Sequence, residues 1–299
     1  MNRFLTAMAP LLTLVFPARA TLSVVTSVPS LASLAKEVGG DHVSVVSLAG
    51  SLQDPHFVDG RPSFIVKLHD ADLLAYVGAE LEVGWLPSLV TNARNGGIQP
   101  GQPGNFDASS VVGGLQEVGA GVDRSQGDVH PNGNPHFLMD PRYGMRVAKA
   151  LSERFALLDP AHAADYAAGW QRFAVGMRAR VLAWEAAMSP FKGAAVVGFH
   201  QSIGYLTAWL GLKRAGFVEP LPGISPGPKH LAELIVLMRQ RSARVIICEP
   251  WYDAETAQVV AEKAGATVVR LPGDVGSDGI PTYAAYFDHI VTSLIGALK

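Results

Sequence analysis

The chain has 299 residues, 48% of them hydrophobic and 17% charged, which is enough apolar material for one large or two ordinary domains and too much for a disordered tail. Its 24 Lys and Arg against 26 Asp and Glu give a formal charge of -2, so no basic field marks the surface for phosphate backbones or acidic lipid, and nucleic acid is excluded as an expected partner.

Residues 1–20 read as a leader. Asn2 and Arg3 open a short basic region, an apolar run follows from Phe4 to Phe16 with Pro10 inside it, and Ala18-Arg19-Ala20 supplies an A-x-A ending. This is the pattern of a cleaved secretory signal peptide, too short for a membrane span. Its removal takes two arginines and no acid, leaving 22 bases against 26 acids. The only cysteine, Cys248, lies far from that junction, where an acylated cysteine would sit, so a periplasmic protein without a lipid anchor is expected. One cysteine forms no intrachain disulfide, and stability must come from packing. At the end of an apolar run, Cys248 reads as a small core residue rather than a nucleophile.

Beyond the leader, short β-branched runs alternate with longer periodic ones, the pattern of parallel strands joined by crossover helices. In chain order, strands are expected over residues 22–28, 42–48, 73–77, 194–198, 245–248 and 267–271, with helices over 31–38, 63–69, 202–210, 229–240 and 254–264. Residues 95–134 read as loop-rich, punctuated by Gly96-Gly97, Pro100-Gly101 and Gly133-Asn134. Asp140-Pro141 reads as a helix cap with proline in the first turn. The longest helical pattern covers 160–188, where Tyr166, Trp170, Phe173, Met177, Val181 and Trp184 recur at three- and four-residue steps. A helix of that extent is roughly 42 Å long at 1.5 Å per residue, and it reads as a rigid connector. The fold class is therefore α/β: an N-terminal lobe over 21–159, the connector over 160–188 and a C-terminal lobe over 189–299, each lobe with a mainly parallel sheet flanked by helices.

The chemistry-bearing residues are histidines near element ends. Asp54-Pro55-His56 follows the second strand, Asn134-Pro135-His136 precedes a helix, and His200 follows the 194–198 strand, with His130 a fourth in a turn setting. Asp274 follows the last strand. Ligands of parallel α/β folds gather beyond the carboxyl ends of strands, which directs His56, His200 and Asp274 toward one crevice. Neutral imidazole and carboxylate are the donors a borderline divalent cation prefers, and four of them complete a tetrahedral shell. Of the other histidines, His69, His162, His230 and His289 lie on helix-like runs, where surface or capping roles are the simpler reading, and the tryptophans read as packing residues.

At these residues the sequence resembles the periplasmic metal-binding receptors of zinc and manganese ABC transporters, also called cluster A-I or cluster 9 solute-binding proteins. The resemblance covers nearly all of the mature chain. It is carried by Gln53-Asp54-Pro55-His56 with Arg61-Pro62-Ser63 and Ala71-Asp72-Leu73, by Asn134-Pro135-His136-Phe137-Leu138-Met139-Asp140-Pro141, by Gly198-Phe199-His200 before Tyr205-Leu206, by Pro222-Gly223-Ile224-Ser225-Pro226 leading to His230-Leu231, and by the 271–276 stretch with Tyr283 downstream. It implies two α/β lobes joined by one long helix, a metal site of His56, His136, His200 and Asp274, and delivery of the captured ion to an ABC permease. Histidine at position 200 favours zinc over manganese or iron within that family. The protein is then a metal receptor rather than an enzyme, and a monomer.

Two features depart from the family pattern. Many zinc receptors carry a long His- and acid-rich loop, whereas the corresponding segment 119–133 holds only Asp123, Asp128 and His130, a minor metal collector at most. Pro272-Gly273 before Asp274 is unusual, with Asp278 the nearest substitute ligand and Glu249 a further ligand or an acceptor for an imidazole N–H. The rival readings are enzymes. Ser202, Asp253 and His289 occur in the order of an α/β-hydrolase triad, but His200 replaces the first glycine of the nucleophile elbow. A zinc hydrolase would need an open fourth position on the same histidines. No H-E-x-x-H, P-loop or G-x-G-x-x-G occurs.

Overall fold

The computed structural model of the protein describes residues 21–117, 127 and 129–299. The leader expected at 1–20, together with Asp123 and Asp128, lies outside these residues. Two four-stranded parallel sheets form the frame, ordered β2-β1-β3-β4 and β6-β5-β7-β8. The first comprises β1 (Leu22–Thr26), β2 (Val43–Ser47), β3 (Leu73–Tyr76) and β4 (Asn105–Asp107). The second comprises β5 (Ala195–Gly198), β6 (Lys213–Phe217), β7 (Val245–Cys248) and β8 (Thr267–Arg270). All neighbours are parallel. The α/β reading and six of the expected strands therefore stand. The sequence reading omits β4 and β6, which are both edge strands: β4 is three residues inside a turn-rich stretch, and β6 reads Lys-Arg-Ala-Gly-Phe with its first two residues exposed. Strands of that kind carry too little apolar signal to be recognised.

Proline sets several helix starts, because its fixed φ suits the first turn and its missing N–H costs nothing there. This is seen in α1 (Pro29–Gly39), α2 (Pro62–His69), α3 (Leu86–Ala93), α4 (Pro141–Leu158) and, after the long α5 (Ala163–Met188) and short α6 (Gly204–Leu210), in α7 (Pro228–Gln240). Asp140 caps α4 by accepting from Arg142 N, and Asp253 caps α8 (Ala254–Ala264) by accepting from Glu255 N and Thr256 N. Thr282 caps the last helix, α9 (Tyr283–Leu298), through Ala285 N.

Helix α5 is 26 residues long, preceded by a 3₁₀ turn at Pro160–His162. Of its expected stripe, Tyr166, Phe173, Met177, Val181 and Trp184 are buried, and Trp170 packs partly buried beside them. The core they enter runs under both sheets: it contains Val24 and Leu73 of the first, Val196 and Val245 of the second, and Phe287 of α9. Adjacent strand residues point the other way. Val25 and Leu74 meet α2 and α3 in one outer layer, while Val197, Ile246 and Cys248 meet α7 and α8 in another. Burial on both faces explains why the central strands read as continuous apolar runs.

Close approach of α5 to α1 depends on Gly169, where a Cβ would stand 2.3 Å from the backbone oxygen of Val38. Gly→Ala within a helix normally stabilises by about 0.5–1 kcal/mol, and exposed Gly176, with open space at its Cβ position, follows that rule. Gly176→Ala should raise the urea midpoint, whereas Gly169→Ala should lower stability by about 1–3 kcal/mol because a backbone carbonyl cannot step aside. Equal shifts of the two variants would contradict this packing.

Candidate metal centre

Loops beyond the carboxyl ends of edge strand β2 and central strand β5 bring His56 and His200 to one crevice, as parallel sheets favour. His56 lies in the turn after β2. Its orientation is fixed locally: Asp54 Oδ1 accepts from the backbone N of His56 at 2.9 Å and faces its Nδ1 at 2.7 Å, and Pro55 O accepts from Trp85 Nε1 at 2.9 Å. His200 stands two residues beyond β5 on extended backbone. Its Nδ1 lies 2.7 Å from Glu219 Oε2, at the exit of β6, and its ring stacks on Tyr252 at 5.4 Å. In both cases the carboxylate takes the Nδ1–H, so the Nε2 lone pair is presented to the crevice.

His136 is not at a strand end. It opens the 3₁₀ turn His136–Met139 before α4, and the Asn134 side chain places it: Asn134 Oδ1 accepts from His136 N at 2.9 Å while Asn134 Nδ2 donates to Gln201 O at 3.1 Å. One amide thus ties the segment of His136 to the residue after His200.

His56, His136 and His200 each bring a ring nitrogen within 4.8 Å of the others. His56 is 9% exposed and His200 2%. His136 keeps partial exposure as a residue, yet its Nε2 and that of His200 are buried without a hydrogen-bond partner. Orphaned buried nitrogens of this kind are costly unless a cation or donor meets them. Burial, reinforced by the neighbouring histidines, holds the His136 imidazole well below its usual range. Burial also lowers His200, against the opposing pull of Glu219. Burial alone would raise Asp54, but its bonds to His56 and the charge there outweigh that and hold its carboxyl low. Burial thus favours the neutral imidazoles of His136 and His200, and Asp54 behind His56 is held in its ionised form.

Asp274 stands apart from this group. Its Oδ2 accepts from Ser30 N at 3.2 Å, and its Oδ1 accepts from the Ser30 hydroxyl and from Val275 N at 2.6 Å. It faces His136 across a small cavity of about 80 Å³ that Ser202 and Glu249 also line. Asp278 is exposed, on left-handed backbone at φ 52°. Glu249 takes the Ser202 hydroxyl on Oε1, and its Oε2 is buried without a partner, so it accepts from no imidazole. Ser202, Asp253 and His289 do not meet: Ser202 is bound to Glu249, Asp253 caps α8, and His289 is exposed. His69, His162 and His230 bond to Ala93 O, Asp159 and Phe217 O respectively. Burial pushes the Cys248 thiol up to about 12, consistent with a core residue.

Sequence reasoning gave no role to Asp54 or Glu219. Asp54 was legible two residues before its histidine, but Glu219 sits 19 residues from His200 beyond an unrecognised strand. The sequence reads His130 as a turn histidine and, with Asp123 and Asp128, as a minor metal collector at most. His130 is 6% exposed, and its Nε2 lies 3.1 Å from His56 Nε2.

The family described as zinc-uptake complex component A, periplasmic, matches residues 24–297. The chain belongs to that family. Among its relatives is the high-affinity zinc uptake system protein ZnuA of Yersinia pestis, 24% identical over 94% of this chain and 92% of that protein. The zinc-binding lipoprotein AdcA of Streptococcus pneumoniae is 22% identical over 82% of this chain, which spans about half (48%) of AdcA. The Mn-bound periplasmic metal-binding protein of Candidatus Liberibacter asiaticus superposes with a TM-score of 0.76 at 21% identity, covering 93% of this chain and 100% of that one. This zinc-uptake family fold accounts for the paired sheets and the long intervening helix.

Burial pushes the Glu249 carboxyl up to about 7 from an ordinary 4.5, against the Ser202 bond that favours ionisation. Between those values the folded chain holds a proton that the unfolded chain has released, so stability falls as pH rises through that window. Glu249→Gln keeps an acceptor for Ser202 and removes the titration. With chelator present, its advantage over wild type should grow between pH 5 and pH 8 by on the order of 1–3 kcal/mol. The histidines common to both proteins cancel, and a pH-independent offset in urea midpoints would refute the effect.

Proposed function

We propose that the protein is a periplasmic solute-binding receptor that captures a divalent metal, zinc, on His56, His136 and His200 and hands it to the membrane permease of an ABC transporter. The observation that carries this reading is the convergence of three ring nitrogens within 4.8 Å, two of them buried without a partner. Nitrogen donors suit zinc, whereas manganese, and ferrous iron to a lesser degree, favour sites richer in carboxylate oxygen. Family membership and the zinc named in its relatives support the same cargo. A coordination shell closed by protein groups serves capture and leaves no metal-bound water for hydrolysis. The role is therefore binding and transport rather than catalysis.

In this reading residues 1–20 are a cleaved leader and the mature protein is a monomer in the periplasm without a lipid anchor, unlike the relative named a lipoprotein. Residues 21–159 and 189–299 are its lobes, and 160–188 connect them. The resemblance supplies Asp274 as a carboxylate for the fourth position.

Because imidazole binds metal only when neutral, protons compete with the cargo. His136 and His200 are held low by burial, so their share of that competition begins below the ordinary imidazole value of about 6.5. Titration calorimetry should show one zinc per chain. His136→Ala and His200→Ala should each reduce affinity by orders of magnitude with unchanged far-ultraviolet circular dichroism. Wild-type affinity should weaken as pH is lowered from 7 to 5. Unchanged isotherms in both variants would reject the assignment.

A further inference from the structure

We propose that the pole of the second sheet opposite the metal crevice is a docking face for an anionic phospholipid surface. All strands of that sheet are parallel, so their carboxyl ends, followed by His200, Glu219 and Glu249, lie at one pole and their amino ends at the other. The amino-end pole is basic. Lys192 precedes β5, Lys213 opens β6, Arg241 and Arg244 precede β7, and Arg239 and Lys263 lie in the last turns of α7 and α8. Hydrogen bonds tie these turns together: Gly193 N donates to Gly211 O at 2.8 Å, Arg241 Nη1 to Ala215 O at 3.2 Å, and Arg239 to Lys263 O. Against the bases stand Glu262 on α8 and Glu185 near the end of α5, the latter half-buried and held by Trp209 Nε1 at 2.8 Å. The formal charge of -2 averages over this segregation, so the expectation of no basic field holds for the whole chain and fails at this pole.

Two ordinary roles account for part of the pattern. Bases in the last turn of a helix complement its macrodipole, which covers Arg239 and Lys263, and a lysine on an edge strand such as β6 guards against unwanted pairing. Neither explains the surface between them. A cavity of about 660 Å³ opens there, lined by Lys213, Arg214 and Arg241 together with Gly193, Thr207 and Ala208, and by no carboxylate. Lys192, Lys213 and Arg244 are exposed, and their side chains make no hydrogen bond or ion pair among the described residues, where the bases paired with acids are Arg142, Lys149, Arg180 and Lys229.

The breadth of the pole selects the partner. An added peptide strand is disfavoured, because Arg241 already takes the Ala215 carbonyl of the edge strand. Four strand starts at about 4.8 Å per neighbour span roughly 15 Å, wider than one phosphate group and matched to several lipid headgroups side by side. Each base brought near an anionic bilayer strengthens attachment by about five-fold, and salt screens the attraction. Docked in this way, the chain turns its crevice away from the bilayer, toward the solution that holds the cargo. An unanchored receptor would thus be kept beside the membrane in an orientation suited to loading.

The test is flotation of the full mature chain, with chelator present, on vesicles of phosphatidylglycerol mixed with phosphatidylcholine and on vesicles of phosphatidylcholine alone. The chain should bind the mixed vesicles only, and less as salt is raised from 50 to 200 mM. Lys192→Gln combined with Lys213→Gln should weaken that binding by roughly 25-fold, five-fold for each base. Lys229→Gln combined with Arg270→Gln removes the same charge from the crevice pole and should leave binding unchanged. Absence of binding to the mixed vesicles, or equal losses in the two double variants, would overturn the docking face. Displacement by inorganic phosphate at constant ionic strength would also overturn it, in favour of a site for one compact anion. None of these arms requires zinc, so failure here leaves the receptor reading standing, and failure of that reading leaves this one testable.

Discussion

A doubly charged ion loses several kcal/mol of hydration on entering a nearly dry cleft, and the crevice is arranged around repaying that loss. The repayment does not come from the histidines alone. Asp54 and Glu219 sit 2.7 Å behind His56 and His200, where they fix each imidazole's tautomer, aim its Nε2 inward and carry the compensating charge one layer out. Without those carboxylates the buried lone pairs of the cluster would face one another with nothing to orient them, and the cleft would be better filled with apolar side chains.

The second requirement is that donors from distant stretches of chain hold their positions to within a few tenths of an ångström. Here a small set of hydrogen bonds spans the two sheets. Tyr205 on α6 donates to Asn134 O at 2.8 Å and accepts from Gln116 N at 2.8 Å. Tyr283 at the start of α9 donates its hydroxyl to Leu138 O at 2.6 Å and its backbone N–H to Ser33 Oγ at 2.9 Å. These contacts flank the turn bearing His136, so its position is set largely by the half of the chain that follows α5. The buried tyrosine rings serve as spacers whose hydroxyls reach main-chain groups no helix or strand could satisfy.

How much of this was legible in the sequence follows from the range of each interaction. Strands buried on both faces announced themselves through runs such as Val24-Val25 and Val245-Ile246-Ile247, and α5 through its stripe, because each signal is contained in a few neighbouring residues. His56, His136 and His200 were found through turn chemistry and a resemblance of motifs. Edge strands β4 and β6 escaped because pairing on one side requires little apolar content. Glu219 escaped with β6, since its function exists only once that strand aligns beside β5. Asp274 illustrates the opposite case. Its place after β8 was readable, but its commitment to Ser30, 244 residues away, was not.

The apolar layer shared by the two sheets gives the crevice a property that neither sheet has alone. Val24 and Val196 belong to the same packed interior, and interiors at this density pass displacements along instead of absorbing them. A methyl group lost far beneath β5 would therefore be felt as a change in the spacing of imidazoles that no mutation touched, so that grip on the cargo becomes a readout of how well the whole molecule is packed.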